Sequence, residues 1–200
     1  MEMDNQICSV TGARKLLVEY CQRIHQRRLV SACGGNASLR LAEGEFLMTP
    51  SGFALDEVAP EDLALIDESG ALRCPCAHRP TSEWQLHLGV YAARPDVGAI
   101  VHTHSPAATS FAYLGLPIEP VNPESMACLH TLPLVPYYQY GSTELAQAAS
   151  AEITKADALL LEKHGVVAAG KSLREALHLA ELVEETALMN IYIKMIKGRD

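Results

Sequence analysis

Two histidines one residue apart close an apolar run in GAIVHTHSPA, residues 98–107. In a β-strand successive side chains point to opposite faces, so His102 and His104 project from one side of a sheet while Thr103 points away. That geometry suits metal ligation. A catalytic metal needs at least one further protein ligand and an open position besides. His164 in LLLEKHGVV stands in a matching context, at the end of an apolar run and beside a glycine that turns the backbone. Three neutral imidazoles suit Zn²⁺ and leave a fourth position for water or substrate. Taken alone, the first pair is equally consistent with structurally satisfied histidines. His25, His78, His87, His130 and His178 have no such context and read as surface or core residues.

Glu83 in RPTSEWQLH is the candidate for proton transfer. It falls in the first turn of an expected helix, where the macrodipole favours a carboxylate and uncovered N–H groups favour anions. An isolated TSE would be an ordinary acidic helix start. What sets this one apart is the company of small-residue corners, GGN at 34–36, PSG at 50–52 and TS at 81–82. Each offers backbone N–H groups and hydroxyl or amide donors without bulk. A separate metal site from Cys74, Cys76 and His78 in CPCAH lacks the second ligand pair of a structural zinc site, so this stretch reads as a loop.

These residues need elements to hold them. Leu16, Leu17, Tyr20 and Ile24 recur at helical spacing, predicting a first helix near residues 11–28. CGGNASLRLAEGEFLMTPSG reads as a strand, a Glu-Gly turn and a second strand between glycine-rich corners. A short polar helix is expected in ALDEVAPED, and a strand, turn and strand in LALIDESGALR. From Thr81 to about Ala93 the chain reads helical, with Trp84, Leu88 and Tyr91 on one face and Ser82 with Gln85 as a capping box. GAIVHTH is a strand, followed by a helix that Pro106 starts. GLPIEPVNPES is expected to be irregular, and the prolines of TLPLVPYY make it a poor central strand. STELAQAASAEITKA is an amphipathic helix, and DALLLEKHGVVAAGKS is a strand, a His-Gly corner and a strand. The last helix opens with a Ser172 and Glu175 capping box and carries Leu173, Leu177, Ala180, Val183, Ala187 and Ile191 on one stripe.

The 200 residues, 48% hydrophobic, suit one domain over residues 1–200 with helices around a single sheet. A net charge of −8 argues against nucleic acid as partner, because no basic stripe is present to neutralise phosphates. It leaves room for a small phosphorylated ligand held by backbone and hydroxyl donors. No apolar run of about 18 residues or more suggests a membrane span, and the acidic start MEMDNQICSV is unlike a secretory leader. The expectation is a cytoplasmic protein whose six scattered cysteines are free thiols.

GGNAS, MTPSG, RPTSEW, VHTHS and EKHG, in this order, resemble the class II aldolase and adducin-head superfamily, which includes L-fuculose-1-phosphate aldolase and L-ribulose-5-phosphate 4-epimerase. The resemblance runs from the first helix to the last. It implies an α/β fold, a three-layer α/β/α sandwich around a largely antiparallel mixed sheet. It further implies that His102, His104 and His164 bind zinc or another divalent transition metal, and that Glu83 is the general acid/base. Asn36, Ser51, Gly52, Thr81 and Ser82 fall where family members hold the substrate phosphate. A homotetramer with interfacial active sites is implied as well.

The activity implied is cleavage of a ketose phosphate to dihydroxyacetone phosphate and an aldehyde through a metal-stabilised enediolate. A glutamate at position 83 resembles the aldolases, whereas the 4-epimerases carry aspartate there. LPLVPYY and the stretch from KHGVV to EETA also resemble 3-oxo-tetronate-4-phosphate decarboxylases, so a sugar-acid phosphate decarboxylase is the first alternative, with a sugar-phosphate epimerase on the same fold beside it. A non-catalytic adducin-like interaction module would have no need of all four of these polar residues. Two features depart from fuculose-phosphate aldolase. Pro123 stands about where that enzyme has a tyrosine, and the chain stops at KMIKGRD where it has a tyrosine-bearing tail. Tyr113, Tyr137, Tyr138 and Tyr140 are the candidates to substitute, against the ordinary role of tyrosine in packing.

Overall fold

The structure, a computed structural model, describes residues 10–41, 44–73 and 78–198. Cys74 and Cys76 of the CPCAH stretch lie outside the described residues. The elements run α1 (Val10–Gln26), β1 (Asn36–Arg40), β2 (Glu45–Met48), β3 (Ala64–Asp67), α2 (Trp84–Ala93), β4 (Ala99–Thr103) and α3 (Pro106–Leu114). They continue with α4 (Pro123–Cys128), β5 (Leu134–Val135), α5 (Thr143–Glu152), a short 3₁₀ turn, β6 (Ala158–Leu161), β7 (Gly165–Gly170) and α6 (Leu173–Lys197).

The strands form one seven-stranded sheet in the order β3-β2-β1-β4-β7-β6-β5. Every neighbouring pair is antiparallel except β5 with β6, so the sheet is mixed but mostly antiparallel, as expected. Alternation along the strands builds two cores. Ala99 and Val101 of β4 face α1 and the first half of α6, while Ile100 faces α2 and α5. In β7, Ala168 joins the first of these cores and Val166 packs with α3 and the second half of α6. Helices therefore cover both faces, with α1, α3 and α6 on one and α2 and α5 on the other. Because its strands are buried on both sides, the centre of the sheet reads as continuous apolar runs such as AIV and ALLL.

Several local expectations change in tertiary context. ALDEVAPED forms turns rather than a helix; within it the Asp62 carboxylate accepts the Ala59 N–H at 2.8 Å. The second strand expected in LALIDESGALR is a single bridge between Ile66 and Leu72. GLPIEPVNPES is not wholly irregular, since its end enters α4 through a capping box between Asn122 and Ser125. Ser172 caps α6 by accepting from the Glu175 N–H, but Glu175 returns its carboxylate to the Lys171 N–H, one residue early for a box. The buried side of α2 carries Leu86, His87, Val90 and Tyr91, while Trp84 and Leu88 are half-buried on its flank. β5 has two residues at the sheet edge, in keeping with its flanking prolines.

Candidate metal centre and cavity

β1 and β4 pair with Asn36 directly opposite His102. Directly opposed residues of an antiparallel pair share a face, so both side chains lie on the side of α2, which Glu83 immediately precedes as its N-cap. His104 lies just past the end of β4. His164 sits in the three-residue connection between β6 and β7, where Leu161 pairs with Gly165. Lys163 in that connection takes a positive φ of 58°, a conformation that non-glycine residues adopt at a cost of about 1–3 kcal/mol. The connection is fastened by Glu162 N–H to Val135 O at 2.9 Å and His164 N–H to Leu161 O at 3.0 Å.

The three imidazoles converge. His102 Nε2 lies 3.0 Å from His104 Nε2 and 3.2 Å from His164 Nε2. His102 Nδ1 donates to the Val166 carbonyl at 2.8 Å, which in the neutral ring leaves Nε2 as a lone pair pointing at the other two. Nitrogen lone pairs held this close repel unless a cation or proton lies among them. Two ligands of a tetrahedral zinc at 2.0–2.1 Å stand about 3.3 Å apart, so the donor set fits such an ion. Among the described residues these three form a group able to hold a metal. His104 is wedged between backbones. A Cβ at Gly34 would lie 2.9 Å from its Nδ1, and one at Gly165 would lie 2.8 Å from its Cδ2 and 2.2 Å from Thr103 O.

Glu83 is buried at the edge of this group. Its Oε2 sits 2.9 Å from His102 Nε2 and accepts from Asn36 Nδ2 at 3.2 Å. Its Oε1 is buried without a hydrogen-bond partner, 3.5 Å from His164 Nε2. Glu83 is the N-cap of α2, yet its carboxylate does not turn back onto the helix. That forgoes the roughly 0.5–2 kcal/mol a capping side chain contributes. The expected Ser82 and Gln85 box is absent for the same reason: the helix starts one residue later than that box requires.

Burial alone would raise the Glu83 carboxyl, but the His102 and His164 charges and hydrogen bonds from His102 and Asn36 hold it well below the usual range. Burial, reinforced by neighbouring histidine charge, pushes His104 down to about 3 and His164 down to about 4, so both remain neutral donors of a lone pair. For His102 burial acts downward too, but the Glu83 carboxylate outweighs it and the ring is raised.

Glu83, His104 and His164 open onto a cavity of ≈ 380 Å³, while His102 lies buried behind them. Asn36, Ser51, Gly52, Thr81 and Ser82 all line it, together with Glu83, His104 and His164. The corners differ from expectation in one respect. An antiparallel bridge between Pro50 and Pro80 consumes the Thr81 N–H on Thr49 O and the Ser51 N–H on Arg79 O. Ser51 and Thr81 therefore bring hydroxyls rather than backbone donors. Gly52 stands at φ 84° with open space where a Cβ would be, which leaves its backbone accessible from the cavity. Tyr137, Tyr138, Tyr140 and Lys163 line the wall as well, whereas Tyr113 is exposed away from it. Sequence reasoning missed Lys163 and His87. His87, which the sequence leaves as a surface or core residue, is fully buried, and its Nε2 meets Asn36 Oδ1 at 2.5 Å. Its position one helical turn after Glu83 is the signal that could have marked it.

The chain belongs to the family of the Class II Aldolase and Adducin N-terminal domain, whose model matches residues 15–191. It is 38% identical over 172 residues to a 5-methylthioribulose-1-phosphate/5-deoxyribulose-1-phosphate aldolase of Rhodospirillum rubrum, covering 86% of this chain and 76% of that one. It is 33% identical over 181 residues to an L-fuculose phosphate aldolase of Methanococcus maripaludis, covering 90% and 97% respectively. Among solved structures, YgbL from Klebsiella pneumoniae, a candidate aldolase, epimerase or decarboxylase, superposes with a TM-score of 0.86 at 33% identity over 92% of this chain and 91% of that one. No helix among the described residues is long and apolar enough to cross a membrane.

Proposed function

We propose that this chain is a metal-dependent carbon–carbon lyase that cleaves a ketose 1-phosphate, similar to L-fuculose 1-phosphate, into dihydroxyacetone phosphate and an aldehyde. His102, His104 and His164 hold zinc or another divalent transition metal. One observation carries the reading: three imidazole nitrogens converge beside a carboxylate that has one oxygen held and one free, and two of those histidines, His104 and His164, line with Glu83 a cavity edged by small hydroxyl-bearing corners. The metal, when bound, supplies Lewis acidity for charge developing on the substrate's carbonyl and hydroxyl oxygens. Glu83 moves the proton. With Oε2 tethered to Asn36, Oε1 is the atom that accepts a proton and returns one to the carbon left electron-rich by the cleavage. The hydroxyls of Ser51, Thr81 and Ser82, the Gly52 backbone and the spare Asn36 N–H bind the phosphate, which orients the bond to be broken.

A second reading is favoured by Lys163. Lys163 lines the same cavity, with its ammonium group 3.4 Å from Glu162 Oε1, and would suit a substrate carboxylate, so a 3-oxo-acid 4-phosphate losing CO₂ is the alternative. Incubating metal-loaded protein with a panel of ketose 1-phosphates and 3-oxo-acid 4-phosphates separates the two. Release of an aldehyde together with dihydroxyacetone phosphate supports the first, and release of CO₂ without an aldehyde supports the second, since decarboxylation of a 3-oxo-tetronate 4-phosphate also leaves dihydroxyacetone phosphate; a protein that binds no metal and turns over neither belongs with non-catalytic adducin-like heads.

The same reading includes a homotetramer with interfacial sites. Exposed apolar side chains support association: Tyr113 and Leu114 on α3, Met126 on α4 and Tyr192 and Ile196 on α6. Light scattering after size exclusion measures the assembly directly.

A further inference from the structure

Behind Glu83 a line of buried polar groups runs through the core between α2 and β1, and none of them touches the cavity except Asn36. Asn36 Nδ2 donates to Glu83 Oε2 at 3.2 Å, and Asn36 Oδ1 faces His87 Nε2 at 2.5 Å. On the far side of the ring, His87 Nδ1 meets Ser38 Oγ at 2.6 Å, and Ser38 Oγ meets the Tyr91 hydroxyl at 2.8 Å. Asn36, Ser38 and His87 are buried, and Tyr91 is 1% exposed. The Tyr91 ring is itself fixed, stacked on Phe46 at 4.9 Å between centroids and covered by the Arg40 guanidinium at 4.8 Å.

Chemistry decides the direction of every proton in this line. A carboxylate only accepts, so the Asn36 amide must turn its NH₂ to Glu83 and its oxygen to His87. That oxygen only accepts, so His87 carries its proton on Nε2. Nδ1 is then a lone pair and takes the Ser38 hydroxyl proton, and Ser38 in turn accepts from Tyr91. All donors point toward Glu83. An amide cannot pass a proton on, so the line holds geometry rather than conducting protons. A buried imidazole bonded at both nitrogens is more than packing requires at this site, where α2 already buries Leu86 and Val90.

We propose that His87 is a positioning residue for the reaction: through Asn36 it immobilises Glu83 Oε2, so that Oε1 is presented to the substrate, and it aims the spare Asn36 N–H at the cavity. This rests on the proposed lyase reading for its kinetic consequence but not for its structural one. Supporting partners of this kind typically contribute about 10–100-fold to activity.

Three measurements test it. ¹⁵N NMR of the His87 ring should show the neutral Nε2–H tautomer across the range in which free histidine titrates. A crystal structure of His87→Leu should show the Asn36 amide reoriented and its contact with Glu83 lost. In the metal-loaded enzyme, His87→Leu should lower kcat about 10–100-fold with metal content unchanged, and His87→Gln, whose amide can still donate to Asn36, should recover most of the loss. An Nδ1–H tautomer, an undisturbed Glu83 in His87→Leu, or equal kcat in the Leu and Gln variants would each overturn the proposal. If the parent protein turns over no phosphate in the panel, the lyase reading fails while the tautomer and the crystal structure still decide the role of His87.

Discussion

His102 spends one ring nitrogen on the Val166 carbonyl, at 2.8 Å, and aims the other at Glu83 Oε2, 2.9 Å away. A neutral His102 therefore turns a lone pair toward a carboxylate, an arrangement that only a positive charge makes favourable. His102 is also one of the three histidines whose nitrogens could hold a metal ion, so the carboxylate stands directly beside that group.

Removing the Glu83 charge separates metal binding from turnover. Glu83→Gln should keep the metal on its three imidazoles while kcat falls by about a hundred- to ten-thousand-fold. Elemental analysis and steady-state kinetics on one preparation are sufficient, and a variant with parental kcat would remove Glu83 from the chemistry.

The phosphate corners make a prediction about binding. Ser82 is exposed at the cavity, so Ser82→Ala should fold normally. Losing one hydrogen bond to a phosphate oxygen, worth about 1.5–3 kcal/mol, should raise KM about 10–100-fold for the phosphorylated substrate. An unphosphorylated analogue should lose nothing, and an equal effect on both would place the phosphate elsewhere.

Gly165 should tolerate no side chain. A Cβ there would fall 2.2 Å from Thr103 O and 2.8 Å from His104 Cδ2, so Gly165→Ala must shift β4 or push His104 off its partners. Metal affinity should drop about tenfold or more, alongside a loss of stability of roughly 1–3 kcal/mol, by metal titration and denaturant unfolding.

Acid should weaken the metal-free fold through His87. Burial lowers its pKa from 6.5 to about 3, so the unfolded chain takes up a proton in that interval and the native state does not. Stability is therefore fully present above the unfolded value and falls as pH drops toward the folded one, by about 1.4 kcal/mol per pH unit. Between pH 6.5 and pH 5 the loss is about 1.6 kcal/mol, and His87→Gln should abolish that part of the slope in denaturant titrations.

The histidine pair, the His-Gly corner, Glu83 and the three small-residue corners were all legible in the sequence, because each rests on local rules. A period of two puts His102 and His104 on one face, and glycine and hydroxyl residues mark corners wherever they fall. The same holds for α1, α3, α5 and α6, whose apolar spacing and caps are local. Where neighbours compete, local rules failed. Ser82 lost its capping role because Glu83 occupies the N-cap, held by Asn36 and His102 across the fold. The Ser51 and Thr81 backbone donors are spent on a bridge between segments some thirty residues apart.

The sequence by itself determined which residue types stand at strand ends and helix starts, and thereby the chemistry this protein could host. Tertiary structure alone decided which of them meet. The β1 and β4 register sets Asn36 against His102, the β6 and β7 connection brings His164 to the same point, and the line from Tyr91 to Asn36 turns a core histidine into part of the site. Strand pairing and buried hydrogen bonds depend on partners far away in the chain, so no local pattern carries them.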